Sequence, residues 1–264
     1  MEEKKLRQLR KDILTMLYKC QSGHPGGSLS CVEIISTLYY NVMNIDPYNP
    51  QMESRDRFVL SKGHACPALY AVLADLGYFK REDLWTLRQV GSHLQGHPDM
   101  TKTPGIDVNT GSLGQGASVA VGLALGAKLK KADYKVYVLI GDGECQEGIV
   151  WEAAMSAAHY KLDNLVFILD HNGLQIDGSN NDVMSLGNVV EKFASFGFGA
   201  ETVDGHDVAA LEAAFTKKIE GKPRFINCLT VKGKGVSFME NNFGWHGKAP
   251  NADEYASAIQ ELEV

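Results

Sequence analysis

The sequence predicts an α/β fold: an open, doubly wound, mostly parallel sheet with helices on both faces. Three observations predict it. Residues 136–140 (VYVLI) and 165–169 (LVFIL) are continuous apolar runs, the pattern of strands covered on both faces. A helical stretch over 147–160 lies between them, and a strand–helix–strand unit of this kind makes a parallel crossover. Further helical and apolar stretches alternate along the rest of the chain.

The elements follow in order. Leu6, Leu9, Ile13, Leu14 and Leu17 have helical spacing, and the helix stops at Ser22-Gly23-His24-Pro25-Gly26-Gly27, where glycine and proline forbid continuation. Ser30 is the expected N-cap of a second helix carrying Ile34, Ile35, Leu38 and Tyr39. Residues 57–61 read as a short buried strand, followed by Lys62-Gly63-His64 and a helix to about Leu76. Residues 91–116 hold six glycines and little periodicity, so they form a long loop, a feature that is usually functional in a compact domain. A helix rich in small residues spans 114–131. After the strands at 136–140 and 165–169 come a helix over 208–219, a strand over 224–230, a Gly-rich segment over 232–250 and a helix over 251–262. No linker or repeat divides the chain, and residues 1–264 read as one domain.

Composition narrows the function. The 264 residues carry 32 acidic and 26 basic side chains, net −6, which argues against a nucleic-acid surface as the main function. The apolar stretches are too short or too rich in small residues to span a bilayer, and the charged start MEEKKLRQLRKD is no secretory signal. Five scattered cysteines without a CxxC pair argue for reduced thiols, a cytoplasmic setting and no structural zinc.

Ligands of such sheets bind beyond the carboxyl ends of the strands. Gly141-Asp142-Gly143-Glu144 lies at one strand end and Asp170-His171-Asn172-Gly173 at the next. Asp142 and Asn172 therefore come together across thirty positions. A carboxylate and an amide oxygen are hard ligands suited to Mg²⁺. Gly143 leaves the following helix N-terminus open to a phosphate. Together these describe a metal-bridged diphosphate; read alone, GDG is also a tight turn. His24, His64, His97 and His246 all sit in Gly-rich turns, which points to a polar pocket doing acid–base work near neutral pH. Gly111-Ser-Leu-Gly-Gln-Gly116 lacks the spacing of a dinucleotide fingerprint, and there is no P-loop and no GxSxG elbow.

These residues resemble the N-terminal, diphosphate-binding half of transketolase. SGHPGGSLS, RFVLSKGHACPALYA, GHPD, TGSLGQGASVAVGLALG, GDGECQEGIVWEA, DHNGLQIDG, TVKGKG and GWHGK occur in that family's order over roughly residues 20–250. GDG with a later Asn is shared by thiamine diphosphate enzymes generally; SGHPG, TGSLGQG and GDGxxQEG are more specific. The resemblance implies the thiamine-diphosphate-binding fold, with thiamine diphosphate and Mg²⁺ (or Ca²⁺ or Mn²⁺) as cofactors. It implies Asp142, Asn172 and the Leu174 carbonyl as metal ligands, and His64, Gly143, Asn172 and His246 as diphosphate contacts. Gly111 and Leu113 would meet the cofactor's rings. His24, His97 and His246 would surround the sugar's carbonyl and upper hydroxyls. Glu147 and Glu152 would link paired cofactor sites through a dimer interface, sharing a proton if buried.

One departure is Ser112, where many members carry proline. A larger one is length. A complete transketolase continues into a pyrimidine-binding domain, which supplies the activating glutamate, and into a third domain; the acceptor-phosphate arginines are expected to lie outside this chain as well. The expectation is a split transketolase: this chain with a separate C-terminal subunit, two of each in a heterotetramer, acting on sugar phosphates. Two other readings remain open: a synthase of the deoxyxylulose-phosphate type, and a non-catalytic scaffold that binds cofactor.

Overall fold

The computed structural model describes residues 2–263. Five strands form one sheet: β1 (Arg57–Leu60), β2 (Val136–Gly141), β3 (Leu165–His171), β4 (Gly199–Asp204) and β5 (Arg224–Leu229). Their order is β1-β2-β3-β5-β4, and every pairing is parallel. The helices are α1 (Glu3–Cys20), α2 (Pro25–Leu29), α3 (Val32–Thr37), α4 (Cys66–Leu76), α5 (Gln115–Lys130), α6 (Gly148–His159), α7 (Asn180–Val183), α8 (Val189–Phe196), α9 (Val208–Thr216) and α10 (Ala252–Glu261).

The apolar run in β2 explains the layering. Successive strand side chains point to opposite faces. Tyr137 and Leu139 join the core beneath α1, α3, α4 and α9. Val136, Val138 and Ile140 join the other, beneath α5, α6 and α8. Both faces are covered, as a strand without polar alternation requires. Helix α5 is made almost wholly of small and aliphatic residues. Ala117, Ala120, Ala124 and Ala127 face the sheet and are fully buried, so the helix packs close.

Two local expectations are corrected. Ser30 does not cap the second helix: Cys31 occupies the N-cap of α3, without a side-chain cap. The Ser30 hydroxyl instead donates to Asp170 at 2.6 Å, because a carboxylate buried completely gains more from that bond than a helix end does. The helix expected over 208–219 ends at Thr216. Lys217 gives its carbonyl to the Arg224 guanidinium at 2.7 Å, and Ile219 folds back over Gly199, where a Cβ would stand 2.2 Å from its Cδ1. The sequence reading also lacked α8 and β4. GAETVD has adjacent polar residues, Glu201 and Thr202, instead of an apolar run, and lies at the sheet edge, where Glu201 pairs with Arg224 and Lys217.

Helix α8 matters because Phe193 is its anchor. The ring is fully buried and stacks on Phe225 with centroids 3.8 Å apart. It also meets Phe167, Phe198 and Trp151. Phe193→Ala should cost about 3–5 kcal/mol, since the rings around it cannot collapse into the space. Urea unfolding should show a lower midpoint at unchanged slope; an unchanged midpoint would show that this cluster does not hold the sheet.

Candidate active site at the strand tips

The parallel register sets the site. Gly141 of β2 lies opposite Asp170 of β3, so the residues that follow, Asp142 and the 171–174 turn, leave the sheet side by side. A cleft of about 300 Å³ opens there, lined among others by His24, His64, Asp142, Asn172, Lys232 and His246. Gly111, Leu113, Gly143 and the Leu174 segment complete its wall.

Asp142 is buried, and its Oδ2 accepts from the Gly173 N–H at 2.8 Å. Its Oδ1 has no hydrogen-bond partner; the His171 ring, at Nε2, is 3.8 Å away. Burial pushes the carboxyl up to about 6, with His171 opposing and Asp170 adding. The amide oxygen of Asn172 accepts from the Leu174 N–H at 3.2 Å. An orphaned buried carboxylate oxygen needs an explanation, and a cation supplies one. Asp142, Asn172 and the Leu174 carbonyl form an all-oxygen donor set of the kind Mg²⁺ takes. No cluster of three or more His, Cys, Asp or Glu side chains fit for a metal occurs among the described residues. Two further cleft-lining atoms are also buried without partners, His24 Nδ1 and Gln175 Nε2.

Beneath the cleft lies an ion pair that the sequence reading did not find. Lys62, from the tip of β1, pairs with Asp170, and both are buried. The Lys62 ammonium also donates to the Gly27 carbonyl at 2.8 Å. Asp170 further accepts from Ser30 and Thr230. Burial opposes the charge on Asp170, but Lys62 and those hydroxyls hold its carboxyl below the usual range. Glu144, also missed, is buried and accepts from Ser61, from the Gly114 N–H at 2.7 Å and from the Gly141 N–H at 3.1 Å. It thereby fixes the loop that leads into α5. A charged residue ending an apolar run, as Asp170 does, was the available signal.

Lys232 was missed as well. Its ammonium reaches the Leu174 carbonyl at 3.4 Å and His246 Nδ1 at 3.1 Å. Burial, then Lys62, lowers it to about 8. Gly26 makes room for it: a Cβ there would stand 3.0 Å from Lys232 Cγ and 3.0 Å from the Trp245 carbonyl oxygen.

Three of the four histidines converge. The ring centroids of His24 and His64 are 5.0 Å apart, and His246 lies 5.4 Å from each. His97 is not in this triangle; its exposed ring sits beside Gly111. Glu147 and Glu152 lie outside the cleft, exposed at the start of α6. Burial and then the Arg88 charge push His24 down to about 4. Burial and then Lys232 push His246 down to about 3. His64 is driven well below its ordinary value by burial and then Lys62. All three rings are therefore neutral at pH 7, able to accept as well as donate hydrogen bonds.

A pH dependence follows. Imidazoles in the unfolded chain titrate near about 6.5, above the folded values, so between pH 6.5 and 4 the unfolded state binds more protons. Stability is fully present above about 6.5 and falls as pH drops toward 4. Resolved His24 resonances should titrate near 4 in the folded chain. A midpoint near 6.5 would show that the ring is not desolvated.

Comparison with known proteins agrees with this geometry. The transketolase thiamine diphosphate binding domain family matches residues 2–263. The chain is 45% identical over 255 residues to a Phocaeicola vulgatus protein named as one subunit of an apulose-4-phosphate transketolase, covering 96% of this chain and 90% of that one. It is also 45% identical to the 6-deoxy-6-sulfo-D-fructose transketolase subunit SqwG of a Clostridium species, covering 97% and 94%. Among solved structures, transketolase from Campylobacter jejuni superposes with a TM-score of 0.93 at 34% identity; all of this chain matches 43% of that one. The chain thus spans about two fifths of a full-length transketolase but nearly all of the two subunit-length relatives. It belongs to the transketolase family and comprises that family's thiamine diphosphate binding domain.

Proposed function

We propose that the chain is the N-terminal subunit of a two-component transketolase. The pair transfers a two-carbon ketol unit from a ketose phosphate to an aldose. The observation that carries this reading is the side-by-side emergence of Asp142 and Asn172 from neighbouring strand tips under a triangle of neutral histidines. Bound thiamine diphosphate supplies the carbanion chemistry that moves the two-carbon unit.

The chain's own residues bind and orient. Asp142, Asn172 and the Leu174 carbonyl hold Mg²⁺ or a similar divalent cation, so that the diphosphate does not meet a bare carboxylate. Gly143 leaves the approach open, and His64 and His246 face the anion. Gly111 and Leu113 border the space for the cofactor's rings. His24 and His246, kept neutral, hydrogen-bond sugar oxygens and move protons at those oxygens. His97 extends this set from the rim. Glu147 and Glu152, exposed on α6, meet the second cofactor site in the assembled enzyme. The pyrimidine-binding half comes from a separate C-terminal subunit, two of each chain forming a heterotetramer.

The naming of both relatives as subunits supports a separate partner, and both names carry anionic sugars. A cytoplasmic place in sugar phosphate metabolism fits this reading. No helix is long and apolar enough to cross a membrane among the described residues. A synthase that consumes pyruvate would not need the histidine triangle, and a scaffold that only binds cofactor would use the orphaned Asp142 oxygen but not neutral imidazoles placed for a sugar's oxygens.

The isolated chain should show no ketol transfer, and addition of the partner should restore it. Full activity from the chain alone overturns the split site. His246→Ala should assemble normally, by light scattering, yet lose about a hundredfold or more in turnover. Retained turnover would favour the scaffold.

A further inference from the structure

The TVKGKG segment, residues 230–235, is explained by neither the sheet nor the cation site. Its Lys232 lines the cleft and is buried. The ammonium reaches the Leu174 carbonyl at 3.4 Å and His246 Nδ1 at 3.1 Å. An ammonium held out of water is unfavourable, and a lysine stem is flexible. A backbone free to shift at 231–234 would let this side chain swing toward solvent, so its place depends on what holds that backbone.

One buried carboxylate organises the hold. Glu33, on α3, is buried and serves two partners. Its Oε1 accepts from the Arg10 guanidinium of α1 at 2.5 Å. Its Oε2 lies 3.0 Å from Nδ1 of His206, in the turn after β4. Both partners also reach the segment's backbone. Arg10 Nε donates to the Lys234 carbonyl at 2.9 Å, and His206 Nε2 accepts from the Val231 N–H at 2.9 Å. A backbone N–H can only donate, so Nε2 is bare and Nδ1 carries the ring's proton toward Glu33. Burial opposes the charge on Glu33, but His206 and Arg10 hold its carboxyl below the usual range. The glycines fit this grip. Gly235, at φ +92, lies against Arg10, where a Cβ would stand 2.8 Å from the arginine Cδ. Gly233, at φ +77, donates its N–H to the Gly26 carbonyl at 3.0 Å. The chain is thus gripped on either side of Lys232, by residues that do not themselves line the cleft.

We propose that Glu33, Arg10 and His206 are positioning residues: they hold residues 231–234 so that the Lys232 ammonium stands in the cleft ready for the anion of the cofactor, a role that rests on reading the cleft as a thiamine diphosphate site. Glu33 orients the imidazole, the imidazole holds the Val231 N–H, and the next residue presents its ammonium.

The test is calorimetry of thiamine diphosphate, with Mg²⁺, on the assembled pair. His206→Gln keeps an acceptor near the place of Nε2, whereas His206→Asn keeps a donor near Nδ1 and loses that acceptor. His206→Asn should weaken cofactor binding about three- to tenfold, the effect of one hydrogen bond, and His206→Gln should stay within about twofold of wild type. In a Lys232→Met background, His206→Asn should change binding by less than about twofold, because the ring acts through Lys232. Equal losses in the Asn and Gln variants, or losses that add in the double variant, overturn the proposal. So does failure of His206→Asn to assemble, by light scattering, because the ring would then be holding the fold and not one side chain. A wild-type pair that binds no thiamine diphosphate overturns the cofactor reading and the positioning role together. Wild-type binding that His206→Asn leaves unchanged overturns the positioning role alone.

Discussion

The cleft rests on the buried ion pair between Lys62 and Asp170. It joins the tip of β1 to the tip of β3 and, through Ser30, Thr230 and the Gly27 carbonyl, draws in α2 and the end of β5. Two charges taken out of water cost several kcal/mol each, and their attraction offsets this only when every remaining donor and acceptor is met. Here the carboxylate meets an ammonium and two hydroxyls, so the pair is close to fully satisfied. Removing either partner would strand the other charge, a loss of about 3–5 kcal/mol. The pair thus fixes the floor on which Asp142, Asn172 and the histidines stand.

Charge in the wall above that floor is arranged for an anion. Lys62 is spoken for by Asp170, but Lys232 meets only a carbonyl and a neutral imidazole. The histidines are kept uncharged by burial and by neighbouring cations. Among the described residues, Asp142 alone keeps a buried carboxylate oxygen without a partner. A diphosphate with its cation would answer each of these at once: the cation would be held by Asp142, and the phosphate charge by Lys232 and the imidazoles. The unpartnered buried atoms thus point to the same strand tips as the motifs do.

The alternation of helices with apolar runs made the sheet legible, and β2 and β3 were readable because both faces are buried. The edge was not. In β4, Glu201 and Thr202 give a polar pattern that only pairing with β5 turns into a strand. At the site, Asp142, Asn172 and the clustered histidines stood out because glycine surrounds them. Lys62, Glu144, Asp170 and Lys232 did not, since a charged side chain in a sequence reads as solvated until its burial is seen. His97, grouped by sequence with the other histidines, stands outside their triangle, its ring beside Gly111.

The central claim is that the tips of β2 and β3 hold a divalent cation that bridges a diphosphate. The most direct measurement is anomalous diffraction from crystals of the chain with its partner, grown with thiamine diphosphate and Mn²⁺. The account predicts a manganese peak bonded to Asp142, Asn172 and the Leu174 carbonyl, with diphosphate oxygens completing its shell. A cofactor bound elsewhere, or a peak absent from those three residues while the cofactor is present, would contradict it.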